Sequence, residues 1–411
     1  MNKVYITGIG TVNPAGNNAA EFNENLKNGK CCISEFTSED ADFPIKVCGS
    51  AAGFKAEDYF SKKELRRMDR FVQFAVVAAE EAIRDSKLDL KEVSPFRSGV
   101  ITGVGFGGLP HTEKEHSDYL ERGSKAVSAS FIPAMVPNMA SGIIAMKTGF
   151  KGSDFSVSSA CASSTNAIGE AYRKIKDGYL DVCICGGSES TLTGFCLSAF
   201  GNMKALSKSS DSMKASIPFD ANRNGFVLGE GAGILILESE KHALERNAKV
   251  YAEICGYGAS CDAFHVTMPD PSAEAICYAI KSALSEAEIS EREIDYINAH
   301  GTSTHFNDLT EAKAIRSVFA DRTKDIAVNS TKSITGHLLG GAGAVECCAV
   351  ALQMKNGYIH PTCGTETIDS ECDLNVVLHN SIERKINAAL SLSLGFGGHN
   401  GVLCFKAPSI Q

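Results

Sequence analysis

Cys161 is the only strongly nucleophilic side chain in the small-residue stretch SSACASSTN, residues 158–166. The β-like run SDFSVSS precedes it and the helix-forming NAIGEAYRKIKDG follows, so the thiol sits where a strand hands over to a helix. Unpaired N–H groups at a helix start carry partial positive charge and favour thiolate over thiol, and small neighbours leave room for a group attached to the sulfur. A plainer reading stands beside this one, because free cysteines are among the most buried residue types and commonly act as small hydrophobes. Three further constellations close predicted strands, where α/β proteins concentrate their chemistry. They are NAHGTSTHFND with His300, NSTKSITGHLLGGAGAVE with Lys332, His337 and Glu346, and GFGGHNG with Phe396. Singly, each reads as a packed histidine, a solvated ion pair or a glycine turn. Their joint occurrence with Cys161 favours a shared site.

Short β-branched runs ending in small residues recur as VYITGIG, SGVITGVG, DVCICGGSES, GILILE, YAEICGYGA, IDYINAHGTS, IAVNSTKS and AALSLSLGFGG. Helical patterns lie between several of them; over residues 66–85, Phe71, Phe74, Ala75, Ala78, Ala79 and Ala82 recur at helix spacing. The alternation predicts an α/β fold. IKDGYLDVCICGG near residue 180 and MKNGYIHPTCGT near residue 360 both follow an Ala-rich helical segment and a candidate reactive motif. Such a duplication would bring two reactive loops together at a pseudo-twofold centre. The expected division falls after GILILESEKHALERNAKV, giving halves 1–250 and 251–411.

The 411 residues are 44% hydrophobic and 22% charged, the composition of an ordinary soluble globular protein. A net charge of −9 gives no support to a general nucleic-acid or membrane-surface role, which needs clustered positive charge. The N-terminus MNKVYITGIGTVNPAG reaches Gly, Thr, Asn and Pro before an apolar signal core develops. No apolar run nears the ~18 residues of a spanning helix, so a cytoplasmic location is expected. The 15 cysteines include two adjacent pairs, Cys31 with Cys32 and Cys347 with Cys348, but no C-x-x-C. Neither a disulfide framework nor a metal-ligand spacing is indicated, and most are expected to be packing residues.

These motifs resemble those of the β-ketoacyl-[acyl-carrier-protein] synthases, the condensing enzymes of fatty acid synthesis, and most of all synthase II. SACASS resembles the nucleophile motif, NAHGTST the first histidine motif, NSTKSITGH the lysine and second histidine motif, and GFGGHNG the C-terminal gating loop. MKALS, FDANRNGFVLGEGAG and DAFHVTMPDP agree as well, in order and with unbroken spacing from residue 3 to residue 406. The resemblance implies a thiolase-like αβαβα sandwich of two similar α/β halves, usually a homodimer. It implies no bound cofactor and no metal, with substrates carried on the phosphopantetheine of acyl carrier protein.

Carried over position by position, the resemblance makes Cys161 the acceptor of an acyl group, with the backbone N–H groups of Cys161 and Phe396 as oxyanion hole. His300 and His337 would hydrogen-bond the thioester carbonyl of malonyl carrier protein as carbon dioxide leaves, and Lys332 with Glu346 would hold that network. Gly395, Gly397 and Gly398 flank the Phe396 gate. Thr302 and Thr304 would bind the phosphopantetheine amides, and Phe106, Phe200 and Thr267 are further substrate-binding positions. Relatives commonly carry Ile in place of Phe106 at the far end of the acyl pocket, so a shorter pocket is expected here. Lys62, Lys63, Arg66, Arg67, Lys125 and Lys204 would dock the acidic carrier protein. THFND at 304–308, with His305, Phe306 and Asn307, departs from a usual Thr-Pro-Ala-Gly-Asp and is expected to reshape the tunnel mouth. Leu392 and Leu394 stand where Asn and Phe are common and are expected to alter gate motion.

Other readings differ in the same residues. A non-catalytic chain-length factor would usually lack the cysteine, a degradative thiolase would carry a Cys-containing C-terminal motif instead of GFGGHN, and a metal-binding regulator needs ligand spacing that is missing. A ketosynthase of a polyketide or aryl polyene pathway would share all of these motifs.

Overall fold

Ten strands form one mixed sheet in the computed structural model, which describes residues 2–38 and 42–408. In chain order they are β1 (Val4–Val12), β2 (Ser98–Gly103), β3 (Asp154–Val157), β4 (Val182–Glu189) and β5 (Gly231–Ser239), then β6 (Ala252–Cys261), β7 (Tyr296–Asn298), β8 (Ala327–Asn329), β9 (Ala388–Gly395) and β10 (His399–Lys406). Their spatial order is β8-β7-β9-β10-β6-β1-β5-β4-β2-β3. β1 and β6 meet at a narrow seam, Val4 opposite Ile254, Tyr5 opposite Glu253 and Ile6 opposite Ala252. Outward from that seam, either side reads as two antiparallel pairings followed by two parallel ones. The two outermost strands, β3 and β8, are those that precede Cys161 and Lys332.

The main helices are α1 (Arg70–Ser86), α2 (Leu109–Arg122), α3 (Met139–Thr148), α4 (Ser163–Lys176), α5 (Gly194–Asn202), α6 (Glu274–Ala287), α7 (His305–Phe319) and α8 (Ala342–Asn356). Period-two alternation sorts strand side chains between layers. Val182, Ile184, Ile234 and Ile236 join α1 and α3 in one core, whereas Cys183, Cys185, Leu235 and Leu237 join α4 and α8 in another. Across the seam, Leu390, Leu392, Val402 and Cys404 face α6 and α7, and Ala389, Leu403 and Phe405 face α4 and α8. The order is helix, sheet, helix, sheet, helix, with α4 and α8 enclosed in the middle. Strands covered on both faces must be apolar throughout, which explains runs such as GILILE. α8, buried at every position from Ala342 to Gln353, is apolar around most of its surface for the same reason, Glu346 and Gln353 excepted.

Local signals set the ends. α1 starts at residue 70 rather than 66, because the Asp69 carboxylate accepts the Phe71 N–H at 3.3 Å and caps it. Residues 62–65 form a separate turn, closed by a capping box between Ser61 and Glu64. The paired IKDG and MKNG segments are the ends of the two central helices, followed by left-handed Gly178 and Gly357. Fifteen free cysteines are present, ten of them buried, so most fill core volume. Among the described residues, no helix is long and apolar enough to cross a membrane.

Candidate active site

Cys161 lies in the turn between β3 and α4, just before the N-cap residue Ala162. Ala160 is left-handed at φ 50°, a conformation that costs a non-glycine residue ~1–3 kcal/mol and recurs at functional turns. Ser163 pins this elbow: its hydroxyl accepts the Ser159 N–H at 2.9 Å and donates to the Ala160 carbonyl at 2.6 Å. The end of β9 presses against the turn. A Cβ on Gly395 would stand 2.8 Å from the Ser159 oxygen and 3.1 Å from the Cys161 nitrogen, so only glycine fits without displacement. That approach delivers the Phe396 backbone N–H to the Cys161 sulfur.

The imidazoles enter from the other half of the sheet. His300 follows β7, where Glu311 of α7 accepts the backbone N–H groups of His300 at 2.6 Å and Gly301 at 2.8 Å. Asp308, one helical turn earlier, accepts the Thr302 N–H at 3.1 Å. Lys332, after β8, is ion-paired with Glu346 of α8 and donates to His300 Nδ1 at 3.2 Å. His337 Nδ1 accepts the Leu339 N–H at 3.3 Å, an approach made possible by left-handed Leu339, φ 47°. Both Nδ1 atoms therefore act as acceptors, which puts the ring proton on Nε2 in each histidine. The rings lie nearly perpendicular, centroids 5.2 Å apart. A ring nitrogen of each and the Cys161 sulfur all fall within 4.8 Å of one another. A thiol and two imidazoles so close could in principle hold a metal. The Nε2–H tautomers, however, offer it no lone pair, and the arrangement is wired for donation.

Burial and nearby charges act on the sulfur and on both imidazoles. Burial pushes the Cys161 thiol up to about 11; the Lys332 cation and the Phe396 N–H pull the other way, and the Glu189 and Glu346 carboxylates add to the rise. Burial thus favours the thiol, and the Lys332 cation and the Phe396 N–H favour the thiolate. The same burial, reinforced by Lys332, holds both histidines neutral, far below the usual imidazole range. Burial likewise raises Glu346 above the ordinary carboxylate range, against the pull of Lys332.

A cavity of about 880 Å³ opens onto these groups, and Cys161, His300, His337, Gly395, Phe396 and Gly398 line it. Gly397 does not; its N–H is held by the Val266 carbonyl at 2.7 Å. Thr302 and Thr304 line the cavity with their hydroxyls 2.8 Å apart, and Thr267 lies nearby on the wall. Phe106 also lines it, edge-on to Phe200 at 6.2 Å between centroids, and is half exposed rather than core-facing. The departures sort clearly. His305, exposed Phe306 and Asn307 line the cavity, Leu394 lines it, and Leu392 packs in the core with α6 and α7. Of the basic residues, Lys204 lines the cavity; Lys62, Lys63, Arg66, Arg67 and Lys125 are exposed outside it.

Three buried carboxylates at the site were not singled out from the sequence: Asp308, Glu311 and Glu189. Asp308 and Glu311 could have been found, since they fall three residues apart on a helix face that also carries Ala312 and Ile315.

The sequence model described as "Beta-ketoacyl synthase, N-terminal domain" matches residues 1–243, and that described as "Beta-ketoacyl synthase, C-terminal domain" matches residues 251–366. A 3-oxoacyl-[acyl-carrier-protein] synthase 2 of Staphylococcus aureus is 43% identical over 405 residues, 98% of each chain. One of Synechocystis is 42% identical over 406 residues, again 98% of each. Among solved structures, the ketosynthase of a type II polyketide synthase, bound to a hexaketide and in complex with its acyl-carrier protein, superposes with a TM-score of 0.93 at 33% identity, covering 99% of this chain and 100% of that one. A β-ketoacyl synthase of Burkholderia phymatum gives 0.90 at 30% identity, covering 99% and 100%. The chain belongs to the β-ketoacyl synthase family.

Proposed function

We propose that this protein condenses a Cys161-bound acyl group with malonyl-[acyl-carrier-protein], releasing carbon dioxide and giving a β-ketoacyl-[acyl-carrier-protein] two carbons longer, as a synthase II of fatty acid elongation. One observation carries the reading: two neutral imidazoles, each fixed as an Nε2–H donor, converge with a thiol in a single cavity. In the first half-reaction the Cys161 sulfur attacks the thioester carbonyl, whose oxygen is stabilised by the N–H groups of Cys161 and Phe396. The phosphopantetheine thiolate leaves and takes up the proton that Cys161 gave, so charge balances. In the second, His300 and His337 donate to the malonyl thioester oxygen, and the electron pair of the breaking carbon–carboxylate bond becomes an enolate. Neutral donors suit this task, because they stabilise developing charge without fixing a carboxylate beforehand. The enolate carbon attacks the acyl-Cys161 carbonyl, and the Cys161 thiolate that departs is reprotonated. No separate cofactor is consumed; decarboxylation supplies the driving force.

Condensation of malonyl carrier protein with acyl carrier protein primers from four to sixteen carbons tests the reading directly. Absence of product with every primer would overturn it. Phe106 takes up room at the cavity wall, edge-on to Phe200, that a branched aliphatic side chain would leave open. Short and medium primers should therefore be favoured, and Phe106→Ala is expected to raise the relative rate with long primers about tenfold or more. An unchanged length profile in Phe106→Ala would refute the assignment.

The carrier protein is expected to dock on the basic face that includes Lys62, Lys63, Arg66, Arg67, Lys125 and Lys204. Reversing both Arg66 and Arg67 to Glu should raise KM for carrier-bound substrate about fivefold, the equivalent of ~1 kcal/mol, and blunt its salt dependence. A small acyl-pantetheine mimic should be unaffected; equal effects on both substrates would indicate damage to the fold instead. We extend the reading to a cytoplasmic homodimer with a division near residue 250. The unpaired edge of β3 and exposed Tyr119, Leu120, Ile132 and Met146 support the dimer.

A further inference from the structure

Glu189 ends β4 with no exposed surface and, among the described residues, no cationic partner in hydrogen-bond contact, and its carboxylate is instead ringed by backbone donors. One oxygen accepts the N–H groups of Gly105 at 2.9 Å and Gly340 at 3.2 Å; the other accepts those of Phe106 at 3.1 Å and Gly107 at 3.4 Å. The donors come from two segments that are distant in sequence. One is the turn that presents Phe106 to the acyl pocket. The other is the loop after His337, where the adjacent Leu339 N–H fixes the His337 tautomer. Glycine is required on both sides of the clamp. A Cβ on Gly105 would lie 2.5 Å from the Glu189 carboxylate, and one on Gly340 would lie 2.3 Å from the Gly105 nitrogen. Gly105, Gly107 and Gly340, which the chemistry itself does not use, thus enclose one buried carboxyl group.

We infer that Glu189 is a positioning residue that locks the Phe106 wall to the His337 loop, so that the length of the acyl chain on Cys161 is transmitted to the imidazole that acts on the malonyl thioester. A backbone nest of this kind holds a carboxylate by several short bonds at once, and a displacement of one segment must move the other or break them. Burial pushes Glu189 up to about 7 in spite of these donors, so the clamp is weaker when the group is protonated and one oxygen becomes a donor. The inference rests on the condensing role proposed above.

Native enzyme acylated on Cys161 with a four-carbon or a sixteen-carbon chain provides the test. Hydrogen exchange at the Phe106 and Gly340 amides is expected to change together, by about tenfold between the two chains. A change confined to Phe106 would overturn the inference, and a Cys161 that accepts no acyl group would overturn the condensing role and the inference with it. Glu189→Gln places an amide NH₂ among N–H donors. If folded, it should erase the chain-length dependence at Gly340 and lower malonyl decarboxylation about tenfold at unchanged KM, an effect on kcat that a purely structural loss would not single out. A folded variant that keeps the dependence argues against the clamp, and if the variant does not fold, the native comparison decides.

Discussion

Cys161→Ala is expected to abolish condensation, with a loss of at least about 10³-fold in product formation, whereas Cys161→Gln should continue to release carbon dioxide from malonyl carrier protein. The two outcomes differ because acyl transfer needs the sulfur, but decarboxylation needs only the Nε2–H groups of His300 and His337 and a filled acyl side of the cavity, which a glutamine amide mimics. Product and carbon dioxide should be measured in parallel; a Cys161→Ala protein that still condensed at a large fraction of the native rate would remove the nucleophile from the scheme. The buried thiol also dictates a pH profile. With Cys161 pushed up to about 11 by burial, its alkylation by iodoacetamide in the free enzyme should keep rising well above pH 8. A helix-start thiolate would instead have reached its plateau near neutrality.

Lys332→Met should be nearly as damaging, for two separable reasons. It removes the donor that fixes the His300 tautomer, so Nδ1 is free to take the ring proton and Nε2 loses its donor role; a decarboxylation loss of about 10²–10³-fold is expected. It also strands Glu346 in the central layer, and breaking a buried pair by removing one partner typically costs ~3–5 kcal/mol. The sign of the pH dependence follows from the raised Glu346 carboxyl. A carboxyl that is more acidic unfolded than folded loses stability as pH rises from its unfolded toward its folded value, and the variant lacks the cation that restrains this shift. The melting temperature of Lys332→Met should therefore fall further below that of the native protein at pH 8 than at pH 5. A gap independent of pH would show that Glu346 is not the group left unpaired.

Much of this was legible beforehand because it rests on local chemistry. Eight of the sheet strands announced themselves as β-branched runs ending in small residues, and the two central helices by their matching Gly-terminated ends. β10 was not separated from the gate motif: residues 399–406 are buried on both faces except at the ends, so no alternation marks them. The convergence of Cys161 with His300, Lys332, His337 and Phe396 could be expected only from joint occurrence and resemblance, since β3 lies at one edge of the sheet and β8, β7 and β9 are the three outermost strands at the other. Glu189 was invisible for a different reason: its partners are backbone amides, which leave no trace in side-chain type.

The enclosure of α4 and α8 between the two halves of the sheet has a consequence for how the protein is made. Cys161 leaves the ribosome well before Phe396, and at ~5–20 residues per second the interval is roughly 10–50 s. For all of that time the thiol lacks its oxyanion donor from β9, although His300, His337 and α8 emerge during it. Pairing of β9 and β10 against β7 and β6 is what closes the cavity. Reactivity is thus withheld from the nascent chain until β9 is in place.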